Sequence, residues 1–210
     1  MKKKIKIYFV LPTLFAGGAE RVVSFISQNL NREKFDVTLL VIGFEKDSKY
    51  EISEIPVKYL NKTRVLSAMF PLIKILRKEK PEIVLSAISH LNIFMGLISL
   101  FFPNIKFIGR HTIVSQTKIN YKADSKNSGR RKILKLFNFG YKLLDIIVCQ
   151  SDDMHNDVKL NYKISDDKLI TINNPITDNF ELKPNVSNTN DIIKFITVAR
   201  LKKLKGHRKN

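Results

Sequence analysis

Residues 4–30 read KIKIYFVLPTLFAGGAERVVSFISQNL and set the architecture of the chain. The apolar run from Lys4 to Leu11 ends at Pro12, which predicts a buried strand followed by a turn. Apolar residues at helical spacing predict a helix from Ala19 to Leu30, directly after two glycines. A further apolar run from Phe35 to Ile42 predicts a second strand. This order of elements forms a parallel crossover unit, so we expect a parallel sheet with helices packed on it.

The same alternation continues through most of the chain. The predicted helices are Leu66–Lys78, Leu91–Phe102, Arg130–Leu144 and Asp152–Leu160, and the predicted strands are Glu82–Ser86, Ile105–Gly109, Asp145–Cys149 and Lys168–Ile172. A polar segment without periodicity, Thr112–Asn127, predicts a long loop. Together these elements predict an α/β fold of Rossmann type, a doubly wound parallel sheet.

The composition changes after the last of these strands. Residues 181–191 are rich in Asn, Pro, Ser and Thr, which is typical of a linker between domains. Residues 192–198 read IIKFITV and predict one more strand. We therefore predict a domain over residues 1–180, a linker over 181–191, and the first strand and loop of a second domain over 192–210.

The chain is strongly basic, with 37 Lys and Arg residues against 19 Asp and Glu residues and a net charge of +18. Such a charge indicates an anionic partner, either nucleic acid, a phosphorylated ligand or a membrane surface, or else reflects a biased genome composition. The single cysteine, Cys149, lies in an apolar run and reads as a small buried hydrophobe, which fits a reducing compartment.

The N-terminus has two interpretations. Three lysines, an apolar stretch and the small residues 16–19 resemble a signal peptide. Because Lys6 and Pro12 interrupt the stretch, and because the same residues begin the α/β pattern, we interpret it as a strand and a helix. The longest later apolar run, Leu91–Phe102, is too short to cross a bilayer, so no transmembrane segment is expected.

Several polar residues follow predicted strands, where open α/β sheets bind their ligands. Gly17 and Gly18 precede the first helix, whose N-terminus favours an anion such as a diphosphate, although glycines there also serve packing. Glu20 and Arg21 lie in the first turn of that helix. His111 follows a strand and is either a ligand-binding residue or an ordinary loop histidine. The segment that contains His90 and Asn92 also follows a strand.

Four segments together resemble glycosyltransferase family 4. They are Gly17-Gly-Ala-Glu-Arg-Val-Val23 after the first strand, Gly109-Arg-His-Thr112 with its histidine, Ile172-Asn-Asn-Pro-Ile176 with Phe180, and Val198-Ala-Arg-Leu201 with Lys205-Gly206. The last is similar to the family's G-R-L-x-x-x-K-G string, with Ala199 in place of the glycine. The resemblance implies one half of a GT-B architecture, in which two Rossmann-like domains close around a nucleotide sugar, here the acceptor-side half.

The resemblance also implies roles for particular residues. His111 is the catalytic candidate. The candidates for binding the donor diphosphate are Gly17, Gly18, Arg200 and Lys205. Taken alone, residues 200–209 are interpreted as a solvated or flexible basic end, and the resemblance reverses that interpretation. Glu20 and Arg21 are acceptor-side candidates. His90 and Asn92 are further acceptor-side candidates on topology alone, because their segment follows a strand and is expected to reach the same crevice. Neither a metal nor a cofactor is expected besides the nucleotide-sugar substrate.

The expected function is that of a retaining hexosyltransferase that extends a glycan or a polyprenyl- or other lipid-linked acceptor in surface polysaccharide or glycolipid assembly. The family's paired glutamates have no counterpart after Lys205-Gly206, so we expect this chain to be truncated and inactive alone. We expect it in the cytoplasm, at the inner face of the membrane.

Two basic amphipathic segments, Arg64–Lys78 and Arg130–Lys142, are interpreted either as core helices or as contacts to anionic lipid. A basic membrane- or nucleic-acid-binding domain without catalytic activity is the alternative function. No nucleic-acid-binding motif is visible in the sequence, and no nucleic acid partner is expected.

Overall fold

The computed structural model describes residues 3–113 and 139–175, which alternate strands with helices. The strands in this part of the chain are β1 (Ile5–Leu11), β2 (Phe35–Val41), β3 (Val57–Tyr59), β4 (Ile83–Ala87), β5 (Lys106–Arg110), β6 (Ile146–Cys149) and β7 (Leu169–Thr171). The helices are α1 (Gly18–Asn29), α2 (Met69–Glu79), α3 (Ser89–Ser99) and α4 (Asp152–Tyr162). Residues 139–142 are also helical.

All the strands belong to one parallel sheet with the order β3-β2-β1-β4-β5-β6-β7. The chain runs from β1 outward to β3, returns to the centre through α2, and then runs outward in the other direction from β4 to β7. The direction of winding therefore reverses between β1 and β4. Open α/β sheets bind ligands at the carboxyl ends of the strands beside such a reversal.

Side chains of β1 alternate between the two faces of the sheet, as strand geometry requires. Tyr8 and Val10 belong to the core cluster that also holds the buried residues of α2, α3 and α4. Phe9 and Leu11 belong to the other cluster, together with Val23 of α1. Helices therefore cover both faces, and the predicted doubly wound fold of Rossmann type is confirmed.

The predicted elements agree with the observed ones to within a few residues, with two exceptions among the described residues. Strand β3 was not predicted, and α3 begins at Ser89 rather than Leu91. The predicted helix Leu66–Lys78 consists of a 3-10 turn, Leu66–Ala68, that leads into α2. Most of the predicted loop Thr112–Asn127 and helix Arg130–Leu144, and all of the predicted linker and second domain, lie outside the described residues and stay predictions.

Helix α3 meets the helical residues 139–142 backbone to backbone. A Cβ atom added to Gly96 would collide with the carbonyl group of Gly140, and one added to Gly140 would collide with the backbone of Ile93. Only glycine permits this approach, since every other residue carries a Cβ atom. The contact places Tyr141, which is fully buried, over the carboxyl end of β5.

Candidate functional site

An open cleft of about 460 Å³ lies at the carboxyl edge of the sheet, beside the reversal between β1 and β4. The loops that follow β1, β2, β3 and β4 all contribute to its lining. The polar and charged side chains in this lining belong to Thr13, Glu20, Lys62, Thr63, Arg64 and His90. Strand topology therefore brings residues from distant parts of the sequence to the place where this class of sheet binds ligands.

Glu20 lies in the first turn of α1, on the cleft side. Its Oε1 accepts a hydrogen bond from the Thr13 hydroxyl at 3.4 Å. A Cβ atom added to Gly17 would collide with the Glu20 carboxylate, whereas one added to Gly18 would meet nothing within 4 Å. The carboxylate thus covers Gly17 beside the helix N-terminus, where the helix dipole favours negative charge. A diphosphate bound at this helix N-terminus would lie beside the Glu20 carboxylate. The role of Gly17 and Gly18 in diphosphate binding therefore stays a prediction.

Arg21 points away from Glu20, because adjacent helical residues are about 100° apart. It lines a second, smaller groove of about 230 Å³ together with Phe25, Tyr50 and Pro175. The hydroxyl of Tyr50 donates a hydrogen bond to the Gly17 carbonyl at 2.9 Å, which fixes the wall between the two grooves. Arg21 is therefore not part of the cleft that holds Glu20.

The predicted acceptor-side pair His90 and Asn92 is divided in the same way. His90 is exposed and lines the cleft, but Asn92 is fully buried. The Asn92 side chain accepts from the Ser86 hydroxyl at 2.9 Å and donates to the Arg110 carbonyl at 2.9 Å. It ties α3 to β4 and β5. The expectation that Asn92 reaches the crevice is wrong, because residues two positions apart lie on nearly opposite sides of a helix.

His111 is completely buried rather than open to the cleft. Its Nδ1 lies 2.9 Å from the Tyr141 hydroxyl, and its ring packs edge-on against Tyr141 and Tyr162, each at 5.6 Å between ring centroids. Burial raises the pKa of Tyr141 well above its usual range, so the phenol is protonated at neutral pH. The expected exposure of His111 toward the crevice is thus corrected, while its catalytic role stays a prediction.

Arg110 is a buried residue that the sequence analysis did not single out as a site residue. It is 4% exposed, and its guanidinium donates to the side chain of Asn174. Asn174 donates to Gln150 at 3.0 Å, and Gln150 donates to the His111 carbonyl at 2.8 Å. Burial lowers the pKa of Arg110. These hydrogen bonds join the segment after β7 to the ends of β5 and β6. Arg110 and Asn174 each lie in a segment that resembles family 4.

Lys62 and Arg64 are charged cleft residues that the sequence did not reveal. They follow β3, which was not predicted, and so nothing placed them at the carboxyl edge of the sheet. A prediction of β3 would have placed Lys62 and Arg64 in the cleft, because the residues that follow parallel strands all lie at the carboxyl edge of the sheet.

The remaining predicted donor residues, Arg200 and Lys205, lie outside the described residues. Within residues 3–113 and 139–175 there is no group of three or more His, Cys, Asp or Glu side chains suited to a metal ion. None of the helices in those ranges combines the length and apolarity needed to cross a membrane.

The sequence profile of Glycosyltransferase Family 4 matches residues 16–180, which is more than half of the chain. The chain belongs to glycosyltransferase family 4. The matched range includes the Gly17 turn, the cleft residues from Glu20 to His90, His111 and Asn174. No curated protein matches the chain in sequence.

Solved structures with the same fold include glycosyltransferases and other enzymes that bind nucleotide sugars. The apo form of the lipopolysaccharide outer core galactosyltransferase WaaB has a TM-score of 0.62 at 15% identity, with 82% of this chain covered and 46% of that chain. HepE from Anabaena in complex with UDP has a TM-score of 0.57 at 13% identity, and the match covers 82% of this chain and 44% of HepE. The UDP-GlcNAc 2-epimerase from Neisseria meningitidis, bound to UDP-GlcNAc, has a TM-score of 0.52 at 14% identity. The match covers 82% of this chain and 46% of the epimerase. This family 4 chain therefore spans less than half the length of these structures, and the shared part is its Rossmann-like domain.

Proposed function

We propose that this family 4 chain is the acceptor-side domain of a retaining hexosyltransferase. The enzyme transfers a hexose from a nucleotide sugar to a glycan or a lipid-linked acceptor in surface polysaccharide or glycolipid assembly. The observation that carries the proposal is the cleft at the reversal between β1 and β4, where Glu20 and His90 both line the carboxyl edge of a family 4 domain.

The chemistry of the cleft fits an acceptor that carries hydroxyl groups. A carboxylate accepts a hydrogen bond from a sugar hydroxyl, and an imidazole either donates or accepts one. Thr13, which bonds to Glu20 at 3.4 Å, restricts the carboxylate to one side of the cleft. The pair is suited to orienting an acceptor through its hydroxyl groups.

The donor is proposed to be a nucleotide sugar, because HepE is described in complex with UDP and with UDP-glucose and has the same fold. The diphosphate contacts proposed for this chain are Gly17, Gly18, Arg200 and Lys205, and His111 is proposed to support catalysis from beneath the cleft. We place the enzyme in the cytoplasm, at the inner face of the membrane, where the buried free thiol of Cys149 would remain reduced.

Allelic replacement in the native host tests the proposal, because there the chain acts together with the donor-side half that the proposed transfer requires. Cells that carry Glu20→Gln together with His90→Ala should produce surface glycans or glycolipids that lack one hexose, as seen by mass spectrometry. Cells that carry Arg77→Gln with Lys78→Gln, two exposed changes in the last turn of α2, should retain the complete glycan. Unchanged glycans in the first strain, at normal protein level, would refute the proposal. Salt-dependent retention of the chain on duplex DNA would favour the nucleic-acid alternative instead.

A further inference from the structure

The cleft that holds Glu20 and His90 has an excess of positive charge. Lys62 and Arg64 line it, and Glu20 is the one carboxylate in its lining. Neither Lys62 nor Arg64 forms an ion pair with a carboxylate of any described residue. Two cations that face an open cleft without internal counterions are available to an anionic ligand.

The backbone that carries these two cations is held in place. The amide of Leu60 donates to the Val41 carbonyl and the amide of Lys62 donates to the Ile42 carbonyl, both at 2.8 Å. Between them Asn61 has a φ of 53°, in the left-handed region that asparagine tolerates well. The Ser67 hydroxyl donates to the Arg64 carbonyl at 2.8 Å and closes the next turn. Ordered backbone therefore presents both cations to the cleft, which distinguishes them from lysines on a solvated tail.

An exposed apolar pair lies directly after the two cations. Leu66 is 71% exposed and Phe70 is 77% exposed, although both belong to the helical segment whose other face packs in the core through Ala68 and Leu72. Their spacing of four residues places them on one side of that segment. Large side chains that project into water beside a cleft lined by two cations indicate a ligand that is both charged and apolar.

We propose that Lys62 and Arg64 form a subsite for the phosphate of an amphiphilic acceptor, and that the alkyl chain of this acceptor lies on Leu66 and Phe70. The inference rests on the proposed function and narrows its acceptor to a lipid phosphate whose hydroxyl-bearing part faces Glu20 and His90. The arginine offers a planar fork that matches two phosphate oxygens, and the lysine offers a point charge. The apolar pair supplies affinity by removing alkyl surface from water.

Titration calorimetry with three probes tests the subsite without a donor sugar. The probes are dodecyl phosphate below its micelle concentration, inorganic phosphate, and dodecyl maltoside as the uncharged amphiphile. We expect the wild-type chain to bind dodecyl phosphate more tightly than either of the others. Lys62→Gln with Arg64→Gln should weaken that binding at least about tenfold, since two charge-assisted contacts are lost.

Two further variants separate charge from apolar contact. Leu66→Ser with Phe70→Ser should weaken dodecyl phosphate binding by a similar factor but leave the weaker binding of inorganic phosphate unchanged. Arg77→Gln with Lys78→Gln removes the same charge from the other end of α2 and should leave all three affinities unchanged. Circular dichroism spectra that match the wild type establish that each variant is folded.

Four results would overturn the proposal: no binding of dodecyl phosphate, equal binding of dodecyl maltoside, equal losses in the Arg77/Lys78 control, or tight binding of inorganic phosphate that the apolar variant does not affect. The last result would mean a site for free phosphate. These outcomes are independent of the test by allelic replacement. If the chain binds the lipid phosphate but the host's glycans do not change, the subsite is supported and the transferase function is refuted. If the glycans change but the lipid phosphate does not bind, only the subsite is refuted.

Discussion

The hydroxyl of Tyr141 lies 2.9 Å from Nδ1 of His111, and both side chains are completely buried. Tyr141 also accepts a hydrogen bond from Asn92 at 3.3 Å. One phenol thus joins the end of β5 to α3, and its own position depends on the close contact between Gly96 and Gly140. The surroundings of the family's histidine are therefore set by helix packing behind the sheet and not by the loop in which the histidine lies.

Removing the Tyr141 hydroxyl should destabilise the fold. Tyr141→Phe keeps the ring but leaves buried hydrogen-bonding groups of Asn92 and His111 without that partner, which costs about 1–3 kcal/mol. Urea unfolding followed by circular dichroism measures the change. Tyr59→Phe, at a half-buried tyrosine of the edge strand β3, should have little effect and serves as the control. Equal stability of Tyr141→Phe and the wild type would contradict the described hydrogen bonds.

Alanine should have opposite effects at two of the glycines. Gly96→Ala drives a methyl group into the Gly140 carbonyl and should cost about 1–3 kcal/mol, since tightly packed backbones cannot separate without loss of contacts. Gly18→Ala places a methyl group in open space at the start of α1 and should stabilise the protein by up to about 1 kcal/mol. Thermal unfolding of the two variants measures both effects. A destabilised Gly18→Ala protein would mean that the helix start is more crowded than described.

Most of the fold could be predicted from local sequence, and the exceptions have physical reasons. Buried parallel strands such as β1 and β2 are continuous apolar runs, so their limits are visible without tertiary information. Strand β3 spans three residues at the sheet edge, and no apolar run marks it. The start of α3 was missed because Ser89 and His90 are polar, and only the structure shows that Ser89 is buried.

Acid should destabilise the protein through Glu79. The carboxylate accepts from Lys6 at 2.9 Å and from Lys58 at 3.3 Å, and these two contacts lower the pKa of Glu79 from 4.5 to about 2. Because this pKa is lower in the folded state, the stabilisation is present above pH 4.5 and is lost as the pH falls toward 2. Glu79→Gln should flatten the decline of the urea midpoint over that range. Glu33→Gln, at an exposed carboxylate, should leave the decline unchanged.

The single cysteine should be unreactive in the folded protein. Cys149 is fully buried in β6, and burial raises the pKa of its thiol to about 11. At pH 8 its thiolate fraction is therefore about a hundredfold below that of an ordinary cysteine, and labelling by a disulfide reagent should be slow. Labelling should become complete in denaturing urea. Rapid labelling of the native chain would show that β6 opens readily.

Less of the candidate site than of the fold was predictable. The sequence correctly indicated that Glu20 and His90 follow strands, and strand order brings them into one cleft. It did not indicate which way neighbouring residues point, because that depends on the register of each helix. Arg21 and Asn92 were grouped with Glu20 and His90 on proximity in sequence, and helical rotation separates them. The burial of His111 depends on Tyr141, whose contact is 30 residues distant in sequence.

The reversal of winding between β1 and β4 has a consequence for how this domain can change over evolution. The space above the two central strands arises because their connections depart in opposite directions, and it would persist if the exposed polar residues that line it were exchanged. Substitutions at positions such as Lys62, Arg64 or His90 can therefore alter which molecule is held without disturbing either core cluster. A scaffold of this kind separates folding from recognition, and related chains can diverge in substrate while their sheets remain superimposable.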